Sequence, residues 1–478
     1  MKESKLIFTI SGIRGIFGEN LNIEIVRKIA IAYGLWLKSN DKRVIIGTDT
    51  RPSSKVIEKA IIEGLVSVDY RVINVGVCPT PIIIYIKKKL NIPGGIIITG
   101  SHNPPEWNGL KLLSMKTFLS NSELDEISNF LGQIKFNRYR TSESAYSQSI
   151  ITKNAIPDYI NALYTHFKLE SIRKNNNLRV VVDTGAGAGN FATPQILEGL
   201  GCEVKVINNK LDENNNFPRE IEPIEKNLKD LIATIREGKY DIGFAHDSDA
   251  DRLAIIGNNG NYYPEDIGLA LIANYYFSQC YQDNKDMIFV TNLASSLMFE
   301  ALAEKYNAKV IRTPVGERFL AEKMDSLIRN EDISEEKIKV FGGEGSCGGV
   351  MDPQFNNTRD GIFAAAKIIE ILVETKETIS NLVSKLPKYY AFRENIDLED
   401  KDSNTIVNQL KDQLISESVE FTQVDLDLKF GQGNDWFVLI HPSNTEPIIR
   451  VISEAKKENL AKKHLQAIVE RIKSTILS

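Results

Sequence analysis

Ile96-Ile97-Ile98 sets the first constraint on what this 478-residue chain can fold into. Three isoleucines between Gly94-Gly95 and Thr99-Gly100 read as a short buried strand that stops abruptly. Ser101 and His102 then open a polar loop. Asn103-Pro104-Pro105 cannot continue a helix or a sheet ladder, because two prolines withdraw two N–H donors and fix φ, so the loop is held open and rigid. It presents a hydroxyl at the end of a buried strand, an imidazole beside it and Lys111 farther on, a set suited to a nucleophile or a phosphate carrier. A lone Ser-His pair is also ordinary turn chemistry.

The surrounding sequence repeats the pattern. Ile7–Ile10, Val44–Ile46 and Arg71–Val75 read as strands. Asn22 to about Leu37 has Val26, Ile29, Tyr33 and Trp36 at helical spacing with Asn22 as cap. Ser54–Val66 and the stretch from Cys78-Pro79-Thr80-Pro81 supply further helices. This β-α-β-α-β alternation predicts a mixed sheet with helices on both faces. Ligands of such sheets sit outside the carboxyl ends of the strands, where Ser101 falls. Gly12, Gly15 and Gly18 bracket Arg14 in what reads as a tight loop able to bring a guanidinium to an anion.

The chain is too long for one core and predicts about three or four domains. The polar stretch between Phe136 and Pro157, the turn Gly257–Gly260 and the segment Thr375–Pro387 divide it into residues 1–150, 151–257, 258–374 and 375–478. Leu178–Val182, Tyr240–Ala245, Met287–Val290, Lys309–Ile311 and Lys339–Phe341 read as strands of two more α/β units. The last quarter, with strands at Trp436–Ile440 and Ile448–Ile452 and a helical stripe of Leu460, His464, Ile468, Ile472 and Ile476, reads as a smaller α+β domain. A net charge of −5 argues against general nucleic-acid affinity. No apolar run reaches the roughly 18 to 20 residues of a membrane helix. Met1–Ile10 is too short and too charged for a signal peptide. A cytoplasmic protein, monomer or homodimer, is the expectation. Cys78, Cys202, Cys280 and Cys347 lack zinc-site spacing and read as buried fillers, except Cys347 in its glycine loop.

His246-Asp247-Ser248-Asp249-Ala250-Asp251-Arg252 places three carboxylates at alternate positions after a strand. On an extended backbone they would converge on one side. Three like charges are costly there unless a divalent cation neutralises them, and all-oxygen ligands suit Mg²⁺ or Mn²⁺. A calcium EF-hand fails, with Arg252 at position 6 and Asn258 at position 12. Asp183 to Asn190 is similar to a dinucleotide loop, but the third glycine of GxGxxG falls on Asn190, which leaves a closely packed strand-to-helix turn. Five glycines between Gly342 and Gly349 surround Glu344 and Ser346, a carboxylate and a hydroxyl for sugar hydroxyls. His441-Pro442-Ser443-Asn444-Thr445 offers donors to a phosphate, with Arg450 nearby.

Taken in order, these motifs resemble the α-D-phosphohexomutases. Thr99-Gly100-Ser101-His102-Asn103-Pro104 with Asn108-Gly109-Leu110-Lys111 is similar to that family's active-site serine loop. The resemblance implies that Ser101 is carried phosphorylated, that Lys111 and His102 are acid/base or phosphate-orienting groups, and that Arg14 contacts phosphate. Asp-x-Asp-x-Asp-Arg resembles the metal loop, usually for Mg²⁺. Ser101 would join Asp247, Asp249 and Asp251 at the ion, and Arg252 would bridge metal loop and phosphoserine. Thr313 and Gly316 match a Thr-x-x-Gly loop near the substrate, Glu344 and Ser346 the sugar-reading loop, and Ser443, Asn444 and Thr445 the phosphate-binding loop. Two departures stand out. Cys347-Gly348-Gly349 replaces the family's Gly-His ending, and His441 replaces its usual Arg, exchanging a permanent bidentate cation for an imidazole. Weaker, more pH-dependent phosphate binding is expected.

The implied activity is interconversion of hexose 1-phosphate and 6-phosphate, through phosphoserine and a bound hexose 1,6-bisphosphate. Glucose or mannose phosphate and glucosamine phosphate remain open as substrates. The implied fold is three similar α/β domains and a smaller α+β C-terminal domain around a central cleft. A serine/metal phosphohydrolase and a catalytically silent sugar-phosphate-binding protein are the rival readings.

Overall fold

The computed structural model describes residues 6–9, 12–116, 118–135, 138–139, 141–329, 337–345, 349–398, 401–443 and 448–477. Its first sheet contains β1 (Ile7–Thr9), β2 (Gly12–Ile16), β3 (Arg43–Thr48), β4 (Arg71–Val77), β5 (Gly94–Ile98), β6 (Trp107–Leu113) and β7 (Ile150–Thr152), in the order β1-β2-β6-β5-β3-β4-β7. β5 is buried throughout; it runs parallel to β3 and antiparallel to β6. A Cβ on Gly94 would strike the hydroxyl of Tyr33, which donates to the Leu113 carbonyl at 2.7 Å and accepts from the Gly95 amide at 2.8 Å. The helix Ile23–Leu37 that carries Tyr33 starts where Asn22 accepts from the Ile25 amide and ends at Lys38 in the left-handed region. Val26, Ile29, Ala30, Tyr33 and Leu37 form its buried face.

Arg14 does not lie in a loop. Gly12–Ile16 is β2, paired with both β1 and β6, because Ile13 is fully buried and the facing Gly109 lets the strands close. Arg14 therefore projects from a strand. β7 pairs parallel with β4 and completes the sheet's edge from within the polar stretch.

A second sheet, β12-β11-β10-β8-β9, comprises β8 (Arg179–Asp183), β9 (Glu203–Ile207), β10 (Ile242–Ala245), β11 (Ala254–Gly257) and β12 (Tyr262–Tyr263). β8, β9 and β10 are parallel, and β11 returns antiparallel after the Asp-rich turn. Both sheets belong to one compact unit, residues 1–268 with 348–381, which also holds the helix Gly361–Thr375.

The second unit comprises residues 269–347 and 382–478. β13 (Asp286–Asn292) lies between β14 (Lys309–Thr313) and β15 (Ile338–Glu344), all parallel. The fourth sheet is antiparallel, β17-β21-β20-β19-β18, from β17 (Tyr390–Asp397), β18 (Phe421–Val424), β19 (Asp427–Gln432), β20 (Trp436–Pro442) and β21 (Ile448–Ala455); the short β16 (Gly349–Met351) belongs to the first unit. Helices Ser403–Ser416 and Glu458–Leu477 cover it with Ile406, Leu410, Ile468 and Ile472. His464 stacks on Trp436 with centroids 3.8 Å apart. Three α/β units and a C-terminal α+β sheet are thus present. Cys78, Cys202 and Cys280 are buried free thiols. Among the described residues, no helix is long and apolar enough to cross a membrane.

Candidate active site

In the first unit the carboxyl ends of β3, β4 and β5 deliver Asp49 and Arg51, Thr80, and Ser101 to one edge. Main-chain bonds hold these ends together: Asp49 N–H to the Ile98 carbonyl at 2.9 Å, and Cys78 N–H to the Thr48 carbonyl at 2.9 Å. Ser101 is buried and adopts φ 50°, a region costly for a residue with a Cβ. The strain is held by Arg51, whose fully buried guanidinium donates to the carbonyls of Ser101, Asn103, Pro104 and Trp107 at 2.6 to 2.9 Å. Asp49 neutralises Arg51 at 3.0 Å and also accepts from Thr99, Ser248 and Ser54. A Cβ on Gly100 would lie 2.5 Å from the guanidinium carbon of Arg51, so this approach requires glycine.

The second sheet supplies the carboxylates. The residues from Asp247 to Asp251 are not extended: they form a turn with Ala250 at φ 55°. Convergence comes from that turn rather than from strand alternation. Neighbouring loops fix it. Gly187 packs without a Cβ against the Asp247 and Ser248 main chain, and Ala188 N–H donates to the Ser248 carbonyl at 2.8 Å. His246 spans the turn, its Nδ1 2.8 Å from the Arg252 carbonyl and its Nε2 2.9 Å from Thr193 Oγ1. A carbonyl can only accept, so Nδ1 carries the proton and Nε2 accepts from the threonine. The strand-to-helix turn at Asp183 is therefore a support for the Asp-rich turn.

The groups meet closely. Ser101 Oγ donates to Asp247 Oδ2 at 3.2 Å. Lys111 Nζ bridges Asp249 Oδ2 at 2.7 Å and Asp251 Oδ2 at 2.9 Å. Arg252 donates to His102 Nδ1 at 3.0 Å, and Arg14 to Asn103 Oδ1 at 3.1 Å. Burial, reinforced by Arg252 and Arg14, pushes His102 down to about 2, so its ring is neutral. Burial and the neighbouring Asp249 and Asp251 push the Asp247 carboxyl well up. For Asp251 burial acts the same way, but Arg359, Lys111 and Arg252 outweigh it and hold its carboxyl below the usual range.

The three carboxylates fit a divalent cation. Each offers one oxygen within 4.8 Å of the others, and Oδ1 of Asp247, Asp249 and Asp251 is in each case buried with no hydrogen-bond partner. Buried acceptors left in that state are costly unless a cation takes them.

In the second unit β13, β14 and β15 end at Asn292, Thr313 and Glu344. Asn292 Nδ2 donates to Glu344 Oε1 at 3.1 Å, and both side chains are buried. Thr313 turns its hydroxyl toward the Pro314 carbonyl at 3.0 Å, and Gly316 at φ 131° opens the helix Glu317–Ile328. In the fourth sheet His441 and Arg450 are register partners, His441 Nδ1 lies 2.6 Å from Asp427 Oδ1, and Ser443 N–H donates to the Ile448 carbonyl at 2.9 Å. Ser346, Cys347, Asn444 and Thr445 lie outside the described residues.

Sequence profiles described as phosphoglucomutase/phosphomannomutase, alpha/beta/alpha domains I, II and III, match residues 5–138, 157–260 and 264–390. A phosphoglucomutase/phosphomannomutase of Thermococcus kodakarensis is 34% identical over 98% of this chain and 99% of the relative. The chain belongs to the phosphoglucomutase/phosphomannomutase family. A probable phosphoglucosamine mutase of Pyrococcus horikoshii is 32% identical over 98% of each chain. A phosphoglucomutase/phosphomannomutase family protein of Burkholderia thailandensis has the same fold, with a TM-score of 0.81 and 22% identity over 98% of this chain and 97% of that one. This phosphohexomutase is thus an isomerase-class enzyme by family.

Sequence reasoning missed four residues that hold this cluster together. Thr80 reads only as a helix start, and Asp49, Arg51 and Arg359 belong to no motif. Arg359 donates to Asp251 Oδ2 at 2.6 Å. The signal available was Asp-x-Arg directly after a buried strand, a charged pair where a plain turn needs none.

Proposed function

We propose that this enzyme interconverts hexose 1-phosphate and hexose 6-phosphate by way of phosphorylated Ser101 and a bound hexose 1,6-bisphosphate. The observation that carries the reading is Ser101 Oγ, 3.2 Å from Asp247 Oδ2 beside three carboxylates with one unpartnered oxygen each. Asp247, Asp249 and Asp251, with Ser101, would hold Mg²⁺; when bound, that ion supplies charge withdrawal from the phosphoryl oxygens. Arg14, Arg252 and Lys111 compensate the remaining negative charge in a site from which water is largely excluded.

In the forward half-reaction a sugar hydroxyl attacks phosphorus, the P–Oγ bond of Ser101 breaks as the new P–O bond forms, and the hydroxyl proton ends on Ser101 Oγ. The reverse half-reaction returns the other phosphate to Ser101 and the proton to the sugar oxygen. Glu344, Ser346, Thr313 and Gly316 face the sugar in this reading, and His441, Ser443, Asn444, Thr445 and Arg450 hold the non-reacting phosphate. Relatives named for glucose, mannose and glucosamine phosphates support all three as substrates.

A coupled assay with Mg²⁺ and a trace of hexose 1,6-bisphosphate tests this on glucose, mannose and glucosamine 1-phosphates. Conversion to the 6-phosphate that falls at least about a thousandfold in Ser101→Ala is expected. Release of inorganic phosphate in place of the 6-phosphate would make it a hydrolase. Binding of sugar phosphate without turnover would make it a silent binder.

A further inference from the structure

The two oxygens of each carboxylate in the Asp-rich turn are treated differently. Asp249 Oδ2 accepts from Thr80 Oγ1 at 2.6 Å and from Lys111 at 2.7 Å, whereas its Oδ1 has no partner. Asp251 Oδ2 accepts from Lys111 at 2.9 Å and from Arg359 at 2.6 Å, and again its Oδ1 has none. We propose that Thr80 and Arg359 are positioning residues that, with Lys111, occupy one oxygen of Asp249 and of Asp251 and so select a small octahedral cation over Ca²⁺. The inference rests on the metal reading above.

The selection follows from coordination chemistry. Ca²⁺ takes six to eight oxygens and accepts carboxylates through one or both atoms, whereas Mg²⁺ and Mn²⁺ favour six ligands. A carboxylate whose second oxygen is already taken by two donors offers one atom. Partners of this kind set ligand orientation and typically change metal affinity by about 10- to 100-fold when removed.

Both donors are firmly mounted. Thr80 is fully buried as the first residue of the helix Thr80–Lys89, and its own N–H donates to the Asp249 carbonyl at 3.0 Å, so it grips that residue twice. Arg359 directly precedes the cap of the helix Gly361–Thr375, which is tied to the same loop by Gly361 N–H to the Ala250 carbonyl at 3.3 Å, and a Cβ on Gly361 would strike the Arg252 carbonyl. Asp360 accepts from Tyr159 at 2.7 Å, from Asn356 at 3.1 Å and from the Phe363 amide at 2.9 Å, which leaves Arg359 little freedom to withdraw.

Electron paramagnetic resonance of free Mn²⁺, titrated against the protein and then competed with Ca²⁺, gives both dissociation constants without turnover. The ratio of Ca²⁺ to Mn²⁺ constants is the decisive quantity, because a change in net charge moves both ions alike. Thr80→Val and Arg359→Met are each expected to lower it roughly tenfold, and Thr80→Ser to restore it. An unchanged ratio in a Thr80→Val protein with wild-type melting temperature would overturn the proposal. Absence of Mn²⁺ binding to the wild-type protein would instead overturn the metal reading itself.

Discussion

The candidate residues of the first unit and those of the fourth sheet are built on opposite plans. Around Ser101 nearly every charged group is buried and held by two or more partners: Arg51 by Asp49 and four carbonyls, Lys111 by two carboxylates. Around His441 the strands end near solvent, Arg450 is exposed, and the imidazole leans on the single carboxylate Asp427. The contrast matches the two tasks proposed for these regions. Moving a phosphoryl group rewards donors fixed in advance in a dry site. Holding a phosphate that does not react requires charge and hydrogen bonds but tolerates water. Substitutions in the first region should therefore lower stability and kcat together, whereas those in the second should move KM with little change in stability.

Arg51→Met breaks the first plan most severely. It leaves Asp49 buried without its cation and frees a serine loop held at positive φ, which predicts about 3–5 kcal/mol of lost stability. The shift in denaturant midpoint measures it, and a loss under about 1 kcal/mol would mean that the loop holds itself. Cation binding gives the next largest effect. Saturating the three carboxylates with Mg²⁺ at a hundred times its Kd should add about 2.7 kcal/mol of stability by mass action. An Asp249→Asn protein whose stability rose equally with Mg²⁺ would show that the ion acts elsewhere.

Lys87 sharpens the rule that burial of charge in the first unit works only when it is paired. It is buried, it donates to the Met115 carbonyl at 3.2 Å rather than to a carboxylate, and burial lowers it to about 8. Between pH 8 and the unfolded value near 10.5 the unfolded chain keeps a proton that the folded one has released, so stability rises with pH across that window. The cost is carried in full at neutral pH. Lys87→Met is expected to stabilise by about 1–2 kcal/mol at pH 7 and to lose most of that gain near pH 10.5; a gain independent of pH would mean that only packing had changed.

What could be read from the sequence follows the range of the interactions. Ser101 and the three aspartates were legible because each motif lies on one continuous stretch, and the helix Asn22–Leu37 because its cap and apolar spacing are local. Arg14 was legible as a residue but not as a strand residue, since its pairing with Gly109 depends on a partner far along the chain. The Asp-rich turn was legible in outcome and not in geometry, because neighbours hold it folded: Gly187, His246 and the helix start at Gly361. Arg51, Thr80 and Arg359 were invisible for the same reason. Each meets its partner across at least fifty residues of chain, at distances that only the fold sets.

His441→Arg tests the second plan with the smallest expected change. The imidazole already pairs with Asp427, so a guanidinium can keep that partner while adding a permanent charge and a second donor for phosphate. KM for the sugar phosphate should fall roughly fivefold, about 1 kcal/mol. Stability should stay within about 0.5 kcal/mol. An unchanged KM would remove His441 from the phosphate site, and a large stability change would place it instead among the interlocked residues typical of the first unit.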